Sequence, residues 1–123
     1  MISKNGALIL AEELKSDYAY IKKNSAMLQK AVKRAELGGF TDEMDLLVVG
    51  TCLHNLYNAF EAYFIRITKF FENSLDKHSW HRDLLDRMSY EIPDFRPALI
   101  DSAEYIERLD ELRRFRHLFR NMY

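Results

Sequence analysis

Apolar residues recur along most of this chain at alternating steps of three and four positions, the spacing of one face of an α-helix. In the first third of the chain this stripe ends at the adjacent glycines Gly38 and Gly39. Glycine readily takes the left-handed backbone conformation that stops a helix, so the pattern predicts a long first helix that ends at this pair. The stripe consists of Leu14, Tyr18, Ile21, Ser25, Leu28, Val32 and Ala35.

A second long helix is predicted to begin with Thr41 as its N-cap and to run to about Asn73. Acidic residues follow Thr41, where negative charge stabilises the positive end of a helix dipole. The apolar stripe of this helix is wider than one neighbouring helix can cover. We therefore expect a central helix, or one that also contacts a second copy of the chain in a homodimer. The widened stripe includes Leu46, Leu47, Val49, Gly50, Leu53, Leu56, Tyr57, Phe60, Tyr63, Phe64, Ile67, Phe70 and Phe71.

Two further helices are predicted in the remaining third. Ser79 is a candidate cap for a shorter helix over residues 80–92, which should stop at Pro93 because the residue before a proline disfavours helical angles. The last helix should begin near Pro97, where a missing N–H costs little, and continue to the end. No segment alternates with period two over the length of a strand. The sequence thus predicts one domain over residues 1–123, an all-α, up-and-down bundle of four main helices.

Composition and charge restrict the classes of function. Lys and Arg number 18 against 19 Asp and Glu, so the chain lacks the uniform positive field of many nucleic-acid-binding proteins, and any such binding must be local. The single cysteine excludes an intrachain disulfide and favours a reducing, cytoplasmic location. The short apolar run over residues 7–11 soon meets two glutamates and is too short for a signal peptide or a membrane span.

Histidine and cysteine side chains raise the question of a metal centre. His78 and His81 lie three positions apart, but no acidic or cysteine partner completes a recognisable ligand set beside them. Cys52 and His54 cannot face the same way on one helix, and Cys52 lies in an apolar run where a thiol is usually a small buried packing residue. We therefore expect no metal and no cofactor.

A polar strip accompanies the apolar face of the second helix. His54, Asn58 and Glu61 follow one another at steps of four and three, so they share one side of the helix. Such a strip usually consists of polar groups that are satisfied at the edge of a core. The alternative is a polar surface that faces a second subunit or lines a cleft.

The end of the chain carries the most distinctive pattern. Arg113, Arg116, His117 and Arg120 fall on one arc of the last helix, beside its apolar stripe, and no acidic residue follows Glu111. One interpretation is a solvated helix end whose cations compensate the dipole. The other is an anion site, because guanidinium groups bind phosphate bidentately and a neighbouring imidazole can move a proton near neutral pH.

Three stretches resemble the HepT-like ribonuclease toxins of the HEPN superfamily. They are HNLYNAFEAYFIRITKFFE in the second helix, WHRDLLDRM followed by IPDFRPALI, and the terminal LRRFRHLFRNMY. Their order and spacing carry the resemblance from about residue 50 onwards. It implies a helical bundle that dimerises and cleaves RNA without a metal ion.

The resemblance also implies roles for the residues of the last helix. The family uses an arginine, a polar residue directly after it and a histidine four to six positions beyond the arginine. Here Arg116 and His117 occupy the first two places, but Asn121 stands where the histidine is expected. An amide can hydrogen-bond a phosphate but cannot shuttle a proton, so His117 becomes the candidate acid–base group. Arg113 and Arg120 would bind phosphate.

Further implications concern the partner and the edge of the site. In paired systems of this family a small nucleotidyltransferase antitoxin silences the toxin by adding AMP to a tyrosine, whose place Tyr123 occupies. His81 is either a hydrogen-bonding residue near the start of the third helix or lies at the edge of the RNA cleft. A rival interpretation, favoured by Asn121, is a catalytically silent helical module that docks a nucleotide or the acidic face of another protein.

Overall fold

The computed structural model describes residues 3–72, 80–94 and 96–122, and for residues 72, 80, 81 and 119–122 it describes the helical backbone only. These residues form four α-helices and no strand, which confirms the predicted all-helical class. The helices are α1 (Lys4–Leu37), α2 (Glu43–Glu72), α3 (Trp80–Met88) and α4 (Ala103–Met122).

The first two helices form an antiparallel pair. The helix α1 ends at Leu37, and Gly39 takes a left-handed φ of 68°, which confirms the predicted stop at the glycine pair. Near the other end of the pair, Arg66 of α2 forms ion pairs with Glu13 and Asp17 of α1. The polar contacts thus join the start of α1 to the end of α2, as antiparallel packing requires.

The predicted N-cap of α2 is wrong by one residue. The carboxylate of Asp42 accepts the backbone N–H groups of Met44 at 2.8 Å and Asp45 at 3.1 Å, so Asp42 caps the helix. The hydroxyl of Thr41 instead donates to the carbonyl of Gly38. Asp42 is the stronger cap because its charged carboxylate satisfies two orphan N–H groups and compensates the helix dipole.

Both predicted boundaries between the last two helices are also wrong. The helix α3 ends at Met88 rather than before Pro93, and α4 begins at Ala103 rather than near Pro97. The carbonyl of Met88 accepts N–H groups from Leu99 and Ile100 in the returning chain, so it is not available to extend the helix.

A buried arginine stabilises this connection. Arg96 is 5% exposed, and its guanidinium donates to the carbonyls of Arg87, Tyr90 and Pro97. Carbonyls of the last turn of α3 and of the segment that follows it thereby obtain partners without further helix. The proposed cap Ser79 lies outside the described residues.

The core lies where the second half of α2 meets α3 and the segment before α4. It is built from Phe64, Ile67, Leu84, Leu85, Met88 and Ile100. Because Leu109 of α4 packs against this core, which includes Phe64 of α2, while Asn58 meets Arg116 further along, α2 and α4 are antiparallel. The end of α4 therefore runs along the first half of α2 and places its arginines beside the polar strip.

Candidate functional site

The candidate site is a polar crossing between α2 and α4. The Nε of Arg116 donates to the Oδ1 of Asn58 at 2.6 Å, a contact between residues 58 positions apart. Both side chains are half-buried. The structure therefore brings together Arg116 and the middle residue of the polar strip, which the sequence had placed on two separate helices.

The same contact defines the role of the neighbouring histidine. A guanidinium only donates hydrogen bonds, so the acceptor Oδ1 of Asn58 must face Arg116 and its amide nitrogen faces away. That nitrogen lies 3.1 Å from the Nε2 of His54. Because the amide nitrogen donates, Nε2 of His54 accepts, and the imidazole carries its proton on Nδ1. His54, Asn58 and Arg116 form one directed chain of hydrogen bonds.

An aromatic ring lies beneath the guanidinium. Tyr57 is 1% exposed, and the guanidinium carbon of Arg116 is 5.7 Å from its ring centroid, a cation–π distance. Burial raises the pKa of the Tyr57 hydroxyl well above its usual value, and the nearby Glu61 carboxylate raises it further. The charges of Arg113 and Arg116 oppose this rise only in part. Tyr57 is therefore a neutral support for Arg116 rather than a proton carrier.

The other arginines of α4 are arranged around one buried carboxylate. Asp110 is 5% exposed and lies 2.7 Å from Nε of Arg113, 3.1 Å from Arg82 of α3 and 3.5 Å from Arg114. Burial by itself would raise the pKa of Asp110, but the hydrogen bond and charge of Arg113 and the charges of Arg82 and Arg114 lower it below its usual value. Asp110, which precedes Glu111, thus compensates part of the positive charge of the last helix.

The other predicted site residues have different surroundings. His117 is exposed, and as the residue after Arg116 it projects about 100° away around the helix. Glu61 is half-buried beside Tyr57. Arg120 and Asn121 lie in α4 and His81 lies in α3, but their side chains are outside the described part of the chain, and Tyr123 is outside it altogether.

Sequence reasoning missed Asp110 and Tyr57. Asp110 precedes Arg113 by three residues and Arg114 by four, the usual spacings of ion pairs within a helix. This spacing could have indicated the contacts of Asp110 with these two arginines. Arg82 belongs to another helix, so its contact with Asp110 depends on packing. Tyr57 was assigned to the widened apolar stripe, and its contact with Arg116 likewise arises only when the helices pack.

The described residues show neither a metal-binding cluster nor a membrane-spanning helix. No group of three or more His, Cys, Asp or Glu side chains there is arranged to hold a metal ion. Likewise, none of the four helices combines the length and apolar character that crossing a membrane requires. Cys52 is 7% exposed, and burial raises the pKa of its thiol, in line with the expected role as a packing residue.

Comparison with known proteins gives one match. The sequence model of a family described as "HepT-like protein" matches residues 48–123, which include α2 from near its start, α3 and all of α4. Searches of curated proteins and of solved structures gave no significant match. The matched region contains both sides of the polar crossing.

Proposed function

The chain belongs to the HepT-like protein family, and from this premise we propose that it is a metal-independent endoribonuclease, the toxin of a toxin–antitoxin system that acts in the cytoplasm. In the proposed reaction the 2′-OH of the RNA attacks the adjacent phosphorus and the bond to the 5′ oxygen breaks. A base takes the proton of the 2′-OH and an acid protonates the leaving oxygen. The products carry a 2′,3′-cyclic phosphate and a 5′-OH.

The observation that carries this proposal is the environment of Arg116. Its partner, Asn58, is a neutral amide, and among the described residues no carboxylate forms an ion pair with Arg116. By contrast, Arg113 pairs with Asp110 at 2.7 Å. A guanidinium that is oriented but not neutralised retains its charge for a phosphate, which is what stabilisation of a developing negative charge requires.

The remaining roles extend this arrangement. We assign a phosphate contact to Arg120 and a weaker one to Arg113, whose Nε is bonded to Asp110. We assign the proton transfer to His117, whose exposed position on α4 leaves it accessible to RNA. Asn121 would hydrogen-bond the phosphate or a hydroxyl. Association into a homodimer would double the local positive charge of a chain whose net charge is −1.

A regulatory partner completes the proposal. A small nucleotidyltransferase antitoxin would silence the protein by adding AMP to Tyr123, two positions after Asn121. The added phosphate would bring negative charge to the arginine-rich end of α4 and compete with RNA for the same cations.

A second candidate function is a catalytically silent module that binds a nucleotide, RNA or an acidic protein surface through the same arginines. Asn121 is the observation that favours it, because an amide cannot replace a histidine in proton transfer. This alternative requires Arg116 for binding but predicts no cleavage.

The experiment incubates the purified protein with end-labelled RNA in the presence of a chelator and identifies cyclic phosphate ends. We expect cleavage by the native protein and a loss of about 100-fold or more in Arg116→Ala, the magnitude typical of losing one oriented charge-stabilising donor. The control is Arg34→Ala, because the Arg34 side chain is 83% exposed and pairs with Asp45. Cleavage by Arg116→Ala at the native rate contradicts the assignment.

Two further variants separate the mechanisms. His117→Ala should abolish a pH-dependent step if His117 carries the proton, and Asn121→His should raise activity by restoring the family pattern. If neither the native protein nor Asn121→His cleaves RNA, while Arg116→Ala loses RNA binding, the silent binding module is the correct function.

A further inference from the structure

An open cavity of about 540 Å³ lies between α1, α2 and α4, away from the polar crossing. Five aromatic rings from the three helices contribute to its lining, and among its described lining residues only Arg108 is charged. The aromatic residues are Tyr18, Phe60, Tyr63, Phe64 and Tyr105. The composition suggests a site for a flat, neutral and largely apolar group.

We propose that this cavity binds one unstacked base of the RNA substrate, a few nucleotides from the phosphate at Arg116. The proposal rests on the proposed function and adds a specificity site to it. Single-stranded RNA is typically recognised by bases that leave the stack and lie against aromatic side chains.

The distribution of exposure within the cavity supports a flat ligand. Phe64 is 6% exposed and forms the floor with Phe60, whose ring stacks on it at a centroid distance of 6.0 Å. Tyr18 and Tyr105 are 56% and 55% exposed and lie at the rim, on α1 and α4 respectively. An entering base would thus cover aromatic surface that now faces solvent on two sides of the opening.

The position of the cavity relative to Arg116 supports RNA as the source of the base. Arg108 precedes Arg116 by eight residues on α4, which is about 12 Å along a helix. Tyr105, at the rim of the cavity, lies on the same side of α4 as Arg116, eleven residues and about 16 Å before it. A short stretch of single-stranded RNA can contact both.

The charge of the cavity fits a base with its attached phosphate. Arg108 donates to Glu104 at 2.7 Å, but the two side chains are 71% and 66% exposed, so this ion pair is weak and Arg108 can turn to a phosphate. Negative charge in the lining would repel the RNA backbone, and none of the described lining residues carries it.

The first test measures binding of nucleoside 5′-monophosphates to the full chain by NMR, with ribose 5-phosphate as the base-free probe. We expect the nucleotides to bind at least tenfold more tightly than ribose 5-phosphate, and Tyr18→Ala and Tyr105→Ala to remove most of the difference. Tyr105→Phe should retain it, since the ring remains. The control is Tyr20→Ala, because Tyr20 is 53% exposed on the same helix as Tyr18 but does not line the cavity.

The second test uses single-stranded RNA in which one base at a time is removed. Removal of the base at one position should weaken RNA binding to the native protein. Removal of the same base should change the RNA affinity of Tyr105→Ala very little, because this variant has already lost the base contact. If Tyr18→Ala and Tyr105→Ala bind both nucleotides and RNA like the native protein, the proposal is wrong. It is also wrong if Tyr20→Ala weakens binding as much as Tyr105→Ala.

Light scattering on the same variants tests a different occupant. If Tyr105→Ala changes the native oligomeric state while leaving nucleotide affinity intact, a second copy of the chain covers the cavity and the base site is rejected. The base site and the proposed nuclease can be rejected independently. Nucleotide binding that depends on Tyr105, without any RNA cleavage, would support the base site and contradict the nuclease. RNA cleavage that is lost in Arg116→Ala but unchanged in Tyr105→Ala would support the nuclease and contradict the base site.

Discussion

At the residue scale, Asn58 is a neutral link between a cation and an imidazole. Its carbonyl oxygen accepts from Arg116 at 2.6 Å and its nitrogen lies 3.1 Å from His54. An amide is suited to this place because it offers one acceptor and two donors without adding charge. It therefore orients the guanidinium while leaving the positive charge available to a ligand.

This role predicts a difference between two substitutions of similar size. Asn58→Asp would place a carboxylate against Arg116 and neutralise it, so we expect RNA affinity to fall about tenfold or more. Asn58→Ala would leave the charge but release its orientation, so cleavage should fall more than binding. Measurement of kcat and KM for both variants checks this, with Asn55→Ala on the same helix as the control. Equal effects of the two variants on KM would contradict it.

At the element scale, one buried carboxylate joins α3 to α4. Asp110 forms an ion pair with Arg82 of α3 at 3.1 Å and accepts a hydrogen bond from Arg113 of its own helix at 2.7 Å. The helix α3 is only 9 residues long, too short to be stable in isolation, so its position depends on such contacts and on its buried leucines. Of the arginines held by Asp110, Arg113 lies on the same side of α4 as Arg116, three residues before it.

The lowered pKa of Asp110 makes this junction sensitive to acid. A carboxyl whose folded pKa lies below its unfolded value contributes stability above the unfolded value, about 4, and loses that contribution as pH falls further. Removing the charge with Asp110→Asn should cost about 2 kcal/mol at pH 7, because the charge-assisted hydrogen bond from Arg113 to this buried carboxylate is lost.

Urea unfolding measured from pH 7 to pH 3 checks this expectation. The native protein should lose stability on acidification more steeply than Asp110→Asn, which has no carboxyl to protonate. Glu111→Gln is the matched control, since Glu111 is the next residue and is exposed. If the free energy of unfolding falls equally with pH in the native protein and in Asp110→Asn, the assigned role of Asp110 is wrong.

At the scale of the whole molecule, packing accounts for much of the wide apolar stripe of α2. This helix contacts α1, α3 and α4, so three neighbours cover a surface that one could not. Apolar side chains nevertheless remain exposed at its beginning, where Met44, Leu46 and Val48 are 69%, 44% and 49% exposed. A group of exposed apolar side chains in the first turns of a helix is a reason to expect that another protein surface covers them.

We therefore retain the prediction of a homodimer and assign its contact to the beginning of α2. Light scattering at micromolar concentration should give twice the chain mass of 14.6 kDa. Val48→Asp should shift the protein to monomers without loss of helix content, because an unpaired carboxylate would be buried in the interface. Ala26→Asp, an exposed substitution on α1, serves as the control. A native protein that is monomeric would refute the prediction, and a dimeric Val48→Asp would refute the assigned surface.

The periodicity of the sequence alone determined the helical class, the stop of α1 at the glycine pair and the central place of α2. These features follow from local preferences and from the position of apolar residues around one helix, which do not depend on distant parts of the chain. The resemblance of the later two thirds to HepT-like proteins was likewise readable from the sequence and is confirmed by the family match over residues 48–123. The polar strip and the arginine arc were also visible, but as two separate patterns.

Only the tertiary structure decided how those patterns meet. The contact of Arg116 with Asn58 joins residues 58 positions apart, and the clustering of Arg82 at Asp110 joins two helices, so neither follows from spacing along one helix. The early end of α3 has the same cause, because the carbonyls that would extend it are taken by Arg96 and by the returning chain. Local sequence sets which conformations a segment prefers, whereas long-range hydrogen bonds and burial select among them once the helices pack.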